Sequence, residues 1–355
     1  MSQAVKNVAI VSLSRGLLGE PFVKFELEIG LRRLKEFGLN VTFAPHALKG
    51  LEYVEKHPEK RAEDLLQALR DPEIDMILCA IGGEDSYRML PYLFENEQLA
   101  QAVKECASGG KNKIFLGFSD TTINHFMLHK VGFKSFYGQA FLPDICELGP
   151  DMHPYTKKYF KELISTRRIE EIRPSDVWYK ERANFVPEQV GVPLEPMKNQ
   201  GFQLLQGESE FSGKILGGCL ESMYEIFEGD KFSDEPVLCE KYDLFPSAED
   251  WEGRIILLET SEEKPSPQLY RKTLEILREK EVFEAVSGVI AGKPMDETHA
   301  DEYSRMLVKT VGRKDLPIVF NLNVGHAMPR AVVPFGVKAH VVADSDIEKQ
   351  VIRFE

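Results

Sequence analysis

Apolar and polar positions along the first 150 residues follow two alternating periods. Short, largely apolar runs at Val8 to Leu13, Val41 to Ala44, Met76 to Ile81 and Lys113 to Leu116 have the length expected of buried strands. Between them, Pro21 to Phe37, Arg61 to Arg70 and the stretch from Ser86 onward carry helical spacing, with Leu65, Leu66 and Leu69 on one face of the second. This order predicts an α/β fold with a parallel, doubly wound sheet, whose ligands gather beyond the carboxyl ends of the strands. Gly82-Gly83 ends one strand and Ser119 follows another, so both can meet across one crevice.

The pattern changes after about Pro150. Met152 to Lys198 lacks clean periodicity and contains the loop-like segment Pro174 to Phe185. Strand signals return at Phe202 to Gln206, Gly213 to Leu216, Arg254 to Glu259, Val286 to Ile290 and Ile318 to Asn321. Helices are predicted over Leu220 to Phe227 and Pro267 to Glu279, a turn at Gly217-Gly218, and a closing β-hairpin from Val337 to Phe354. The expected organisation is an N-terminal domain over 1–165, a linker and substrate loop over 166–200, and a mixed, β-rich α/β domain over 201–355.

Composition narrows the partners. The chain has 355 residues, 43% hydrophobic and 28% charged, with a formal net charge of -13. Its summed field repels nucleic acid polymers and anionic membranes, although a helix N-terminus still admits a small ligand with one or two phosphates. The start, Met1 to Gly16, lacks the apolar core and cleavage site of a signal peptide, and no run approaches a membrane span, so a cytoplasmic location is expected. Cys79, Cys106, Cys146, Cys219 and Cys239 form no CxxC pair and are read as core residues of a reduced protein.

Chemistry concentrates first in Ile114 to Met127. The apolar run breaks at Gly117-Phe118-Ser119-Asp120, and Ile123, Phe126, Met127 and Val131 then recur on one helical face. A strand-to-helix turn of this kind exposes a serine hydroxyl beside free backbone N–H groups, as acyl transfer requires. Ser119 or Asp120 is equally an ordinary N-cap, and Thr121 stands where a GxSxG elbow has glycine. A serine nucleophile needs a base. His125 and His129 share the i, i+4 spacing of some zinc pairs but lack an HExxH glutamate, and read as packed or surface histidines; His46, His57, His153 and His299 sit in polar stretches. His326 follows the apolar run Ile318 to Gly325 and lies in a loop just past a strand end. Glu259 ends the run Ile255 to Leu258; it is either the partner of an imidazolium or a strand-end acid grouped with Glu262 and Glu263.

Ala80 to Leu93, Phe115 to Phe126, Ile215 to Met223, Leu257 to Glu263 and Asn323 to Val337 resemble, in order, the signatures of the LD-carboxypeptidase (S66 serine peptidase) family. The resemblance implies a flavodoxin-like N-terminal domain, a homodimer, and a catalytic set of Ser119 as nucleophile, Glu259 and His326, with no cofactor and no metal. It implies oxyanion donors at Gly83 and Asp120. Ile81 before the glycine pair, and Glu84-Asp85-Ser86 after it, resemble the microcin C immunity branch, whose members cleave aminoacyl nucleotides. Glu84, Trp178 and Tyr179 are then the expected substrate contacts, the two aromatics equally well packing elsewhere. A murein tetrapeptide carboxypeptidase and a non-catalytic small-molecule binder are the alternatives.

Overall fold

The computed structural model describes residues 4–110 and 112–355; the polar start at residues 1–3 lies outside them. Two sheets carry the fold. The first has six strands in the order Val333–Pro334, Phe136–Tyr137, Ile114–Gly117, Met76–Cys79, Asn7–Val11, Asn40–Phe43. Its first five strands in chain order lie 2-1-3-4-5 and pair in parallel, the flavodoxin-like arrangement with its crevice between Asn7–Val11 and Met76–Cys79. Met76, Ile77 and Leu78 are wholly buried, which explains a continuous apolar run in place of alternation. The helix Pro58–Arg70 turns Leu65 and Leu69 inward, as its spacing predicts.

The second sheet has eight strands. Glu210–Cys219, Ile255–Glu259, Gly288–Gly292 and Ile318–Leu322 are parallel at its centre. Antiparallel strands flank them: Gln203–Gln206 on one side, and the hairpin Lys338–Val342 with Val351–Phe354 on the other. The helix Pro267–Glu279 has the bounds its periodicity predicts.

Gly217-Gly218 is not a turn. Both residues stay in the strand Glu210–Cys219, opposite Leu257 and Leu258. A Cβ on Gly217 would lie 2.0 Å from the Leu257 carbonyl oxygen, and one on Gly218 would lie 2.3 Å from Thr122 Oγ1. Close approach of backbone and neighbour, rather than chain reversal, demands glycine here.

The sheets are joined at their carboxyl ends. Val333–Pro334 returns to pair antiparallel with Phe136–Tyr137 at the edge of the first sheet. Thr122 Oγ1 accepts the Cys219 N–H at 2.9 Å and donates to the Ser119 carbonyl at 2.7 Å. No helix among the described residues is long and apolar enough to cross a membrane.

Candidate active site

Ser119 sits between the buried strand Ile114–Gly117 and the helix Thr121–Lys130, with φ +66. A non-glycine residue in this left-handed region is held there by its surroundings and typically marks a functional turn. The glycine pair lies against it: a Cβ on Gly82 would come 2.6 Å from Ser119 Cβ and 3.3 Å from the Asp120 nitrogen. Only a backbone free of side chain fits beside the serine.

The segment after the glycines is pinned from three sides. Arg61 holds Asp85 through two contacts of 2.6 and 3.1 Å, both residues being buried. Ser14 Oγ accepts the Glu84 N–H at 3.0 Å, and the Asp120 carboxylate accepts the Ser86 N–H and hydroxyl at 3.0 and 2.7 Å. Burial, offset in part by these bonds, pushes the Asp120 carboxyl above its usual range. Asp85 and Asp120 thus fix the Gly82-Gly83 peptide against the start of the helix.

Glu259 and His326 meet from neighbouring strand ends. Glu259 Oε2 accepts from His326 Nδ1 at 2.8 Å and from the His326 N–H at 3.2 Å. Its Oε1 accepts the Tyr137 hydroxyl at 2.5 Å. Tyr137 is fully buried, and its oxygen in turn accepts the Ser119 N–H at 3.1 Å. A single phenol therefore links the backbone of the serine to the carboxylate behind the histidine. Burial, with the Glu259 charge second, raises this phenol well above the ordinary tyrosine range, so it stays a donor. Periodicity offers no signal for Tyr137, which lies in a two-residue strand.

The other imidazole nitrogen, Nε2, lies 3.0 Å from Glu262 Oε2. Burial alone would lower the His326 pKa, but Glu259 and Glu262 together raise it to about 10. The reciprocal bond from His326, acting against burial, holds Glu262 down to about 2. In this arrangement His326 is an imidazolium between two carboxylates. The Phe118 ring meets it edge-on at 5.0 Å, fixing its plane.

Ser119, Asp120, Gly82, Gly83, Glu84 and His326 line one cavity of about 370 Å³, within the size range of small-molecule sites. A larger hollow of about 570 Å³ beside the amino ends of Ile114–Gly117 and Phe136–Tyr137 includes none of these residues. Trp178 and Tyr179 do not line the cavity that holds Ser119 and His326. Trp178 is 4% exposed beneath Lys293, whose ammonium lies 4.8 Å from its ring centre. Tyr179 stacks on His153 at 4.1 Å and donates its N–H to the Met328 carbonyl. The same loop instead sends Glu181 and Phe185 to the cavity wall, where Phe22 joins them. Phe185 and Phe22 are 51% and 60% exposed, an apolar pair that no periodic pattern in the sequence marks.

His125 is buried between Ser135 Oγ at 2.7 Å and the Gly117 carbonyl at 3.1 Å, and burial lowers its pKa to about 3. It is a neutral brace for the strand that delivers Ser119. Cys219, Glu259 and His326 place potential ligand atoms within 4.8 Å of one another. They suit a metal poorly: both Glu259 oxygens are engaged, His326 Nδ1 faces Glu259, and burial raises the Cys219 thiol well above its ordinary value. The five cysteines are buried and unbridged.

Comparison with known proteins agrees with this architecture. Residues 8–138 match the LD-carboxypeptidase N-terminal domain and residues 212–341 the LD-carboxypeptidase C-terminal domain. The chain is 57% identical to an MccF-like protein from Streptococcus pneumoniae solved in complex with AMP, covering 99% of each chain with a TM-score of 0.94. It is 24% identical to the microcin C7 self-immunity protein MccF of Escherichia coli, over 81% of this chain and 76% of that protein's length. The structure of MccF in complex with aspartyl sulfamoyl adenosine shares the fold, at 21% identity and a TM-score of 0.77, over 100% of this chain and 97% of that one. With both domain models matched in order, the chain belongs to the LD-carboxypeptidase family of S66 peptidases.

Proposed function

We propose that the protein is a serine amidase that hydrolyses the bond between an aminoacyl group and a nucleotide-like leaving group. The observation that carries this reading is Ser119 at φ +66, in one cavity with a histidine held by a buried glutamate. The nucleotide part rests on the MccF-like relative that binds AMP and on Phe22 and Phe185, whose exposed rings stand at the cavity where a base can stack.

In the proposed reaction Glu262 turns aside as substrate enters; its side chain is 56% exposed and free to do so. As it leaves, the Nε2 proton passes to solvent and His326 becomes a neutral imidazole, whose Nε2 then takes the Ser119 Oγ proton while Oγ bonds to the acyl carbon. Glu259 keeps the Nδ1 proton in place and stabilises the imidazolium. The N–H groups of Asp120 and Gly83 receive the oxyanion, and Tyr137 keeps the Ser119 backbone in register with Glu259. The carbon–nitrogen bond breaks, and the leaving nitrogen takes the proton from His326. Water repeats the sequence in reverse, releasing the amino acid and restoring the Ser119 hydroxyl.

Side-by-side hydrolysis of an aminoacyl sulfamoyl adenosine and a murein tetrapeptide tests the assignment. Cleavage of the adenosine compound is expected. Turnover of the tetrapeptide alone overturns the leaving-group assignment in favour of a cell-wall carboxypeptidase.

A further inference from the structure

One wall of the cavity is strongly acidic, and beyond the Asp120 N–H the serine chemistry makes no use of it. The helix Leu220–Glu228 brings Glu221 and Glu225, one turn apart, to the same face of the cavity. Glu235, in the first turn of the helix Glu235–Lys241, lies beside them, and Asp120 and Glu26 close the wall. Three Lys or Arg residues line the cavity among the described residues: Arg15, which is exposed, Lys231, whose backbone N–H donates to Glu225 Oε2 at 3.0 Å, and Arg330. Lys231 is held between Glu84 at 2.7 Å and Glu263 at 3.2 Å, and Arg330 is bound to Asp144 at 2.9 Å.

Within this wall Glu235 stands out. Its side chain is 1% exposed, yet Oε2 is buried with no hydrogen-bond partner among the described residues. A buried carboxyl oxygen without a donor is costly in an empty site and becomes favourable when a ligand supplies one. Burial, then Asp120 and Glu225, drives the Glu235 carboxyl up to about 9. Burial likewise raises Glu225, Glu221 and Asp120. Burial and mutual repulsion thus hold these carboxyls towards their neutral form, and a positive charge placed among them would favour their ionisation.

We infer that the Glu225, Glu235 and Asp120 wall is a subsite for a positively charged side chain of the acyl group, an ammonium or guanidinium whose N–H bonds Glu235 Oε2. Its place beside the reacting serine rests on the amidase reading given above. The chemical class follows from the wall itself. An acyl group with a carboxylate side chain, such as the aspartyl group in the MccF complex, would add charge repulsion at this wall, whereas a lysyl or ornithyl chain would neutralise it.

The test compares lysyl, norleucyl and aspartyl sulfamoyl adenosines. Hydrolysis is measured with the wild-type protein and with Glu235→Gln, and binding of the same three compounds is measured by calorimetry with Ser119→Ala. Lysyl is expected to exceed norleucyl in kcat/KM and in affinity by about tenfold or more, with aspartyl the poorest. Glu235→Gln is expected to collapse the lysyl-to-norleucyl ratio towards one. Glu225→Gln provides the same readout should Glu235→Gln fail to fold. Cleavage of norleucyl with no lysyl preference, or loss of all three compounds in equal proportion, overturns the subsite and leaves the amidase standing. Preferential lysyl binding without cleavage of any compound supports the subsite and overturns the amidase. Neither cleavage nor preference overturns both.

Discussion

The Tyr137 hydroxyl connects two parts of the candidate site that the chain keeps far apart, the turn at Ser119 and the strand end at Glu259. Tyr137→Phe removes that oxygen and leaves a buried N–H and a carboxylate lone pair without partners, at a cost of about 1–3 kcal/mol. Because the ring volume is kept, the expected kinetic effect is a fall in kcat of roughly tenfold to a hundredfold with little change in KM. Equal kcat in the two proteins would show that the link is structural decoration. Glu262 bears on the same histidine from the other side. With Glu262→Gln, one of the two carboxylates that raise His326 is gone, so the acid limb of the kcat/KM profile should move to lower pH by about one unit or more. An unmoved acid limb would mean that Glu262 does not face His326 in the free enzyme, which is the state that kcat/KM reports. Neither residue could be found from spacing. Tyr137 lies in a two-residue strand, and Glu262 is one of three glutamates in a run of five residues.

At the scale of elements, periodicity is legible where one face is buried and ambiguous where backbones touch. Pro267–Glu279 is read to the residue because a capping Ser266 and a strongly amphipathic stripe agree. Ser119, Glu259 and the His326 loop are read as strand-end positions because each follows a short apolar run. Gly217-Gly218 reads as a turn by composition, but strand pairing with Leu257 and Leu258 overrides that preference. Gly217→Ala is therefore expected to destabilise by about 1–3 kcal/mol, since the added methyl meets backbone rather than a movable side chain. An unchanged urea midpoint would contradict the close-packed strand. The loop before the second sheet shows the opposite limit. Its aromatic residues advertise contact, but Trp178 is committed to packing under Lys293, and the exposed Phe185 reaches the cavity.

Over the whole molecule, the two sheets join their carboxyl ends around one acidic cavity, and this sets how stability responds to pH. His326 is raised in the folded state, so its contribution is complete below about 6.5 and is lost as pH climbs through about 10. Glu235 and Glu26 are also raised, to about 9 and about 7, so their contributions are present below about 4.3 and are lost on the alkaline side. Glu262 is lowered to about 2 and acts in reverse, contributing above about 4.3 and losing that contribution as pH falls through 2. The melting temperature should thus decline from pH 6 towards pH 10, and Glu235→Gln should flatten the decline up to about pH 9; parallel curves for the two proteins would remove Glu235 from the account. The measurement that bears most directly on the central claim is the turnover of Ser119→Ala on an aminoacyl sulfamoyl adenosine that the wild-type protein cleaves. A loss on the order of 10⁴-fold or more with an unchanged melting temperature is the expected result. Turnover close to wild type would contradict Ser119 as the nucleophile.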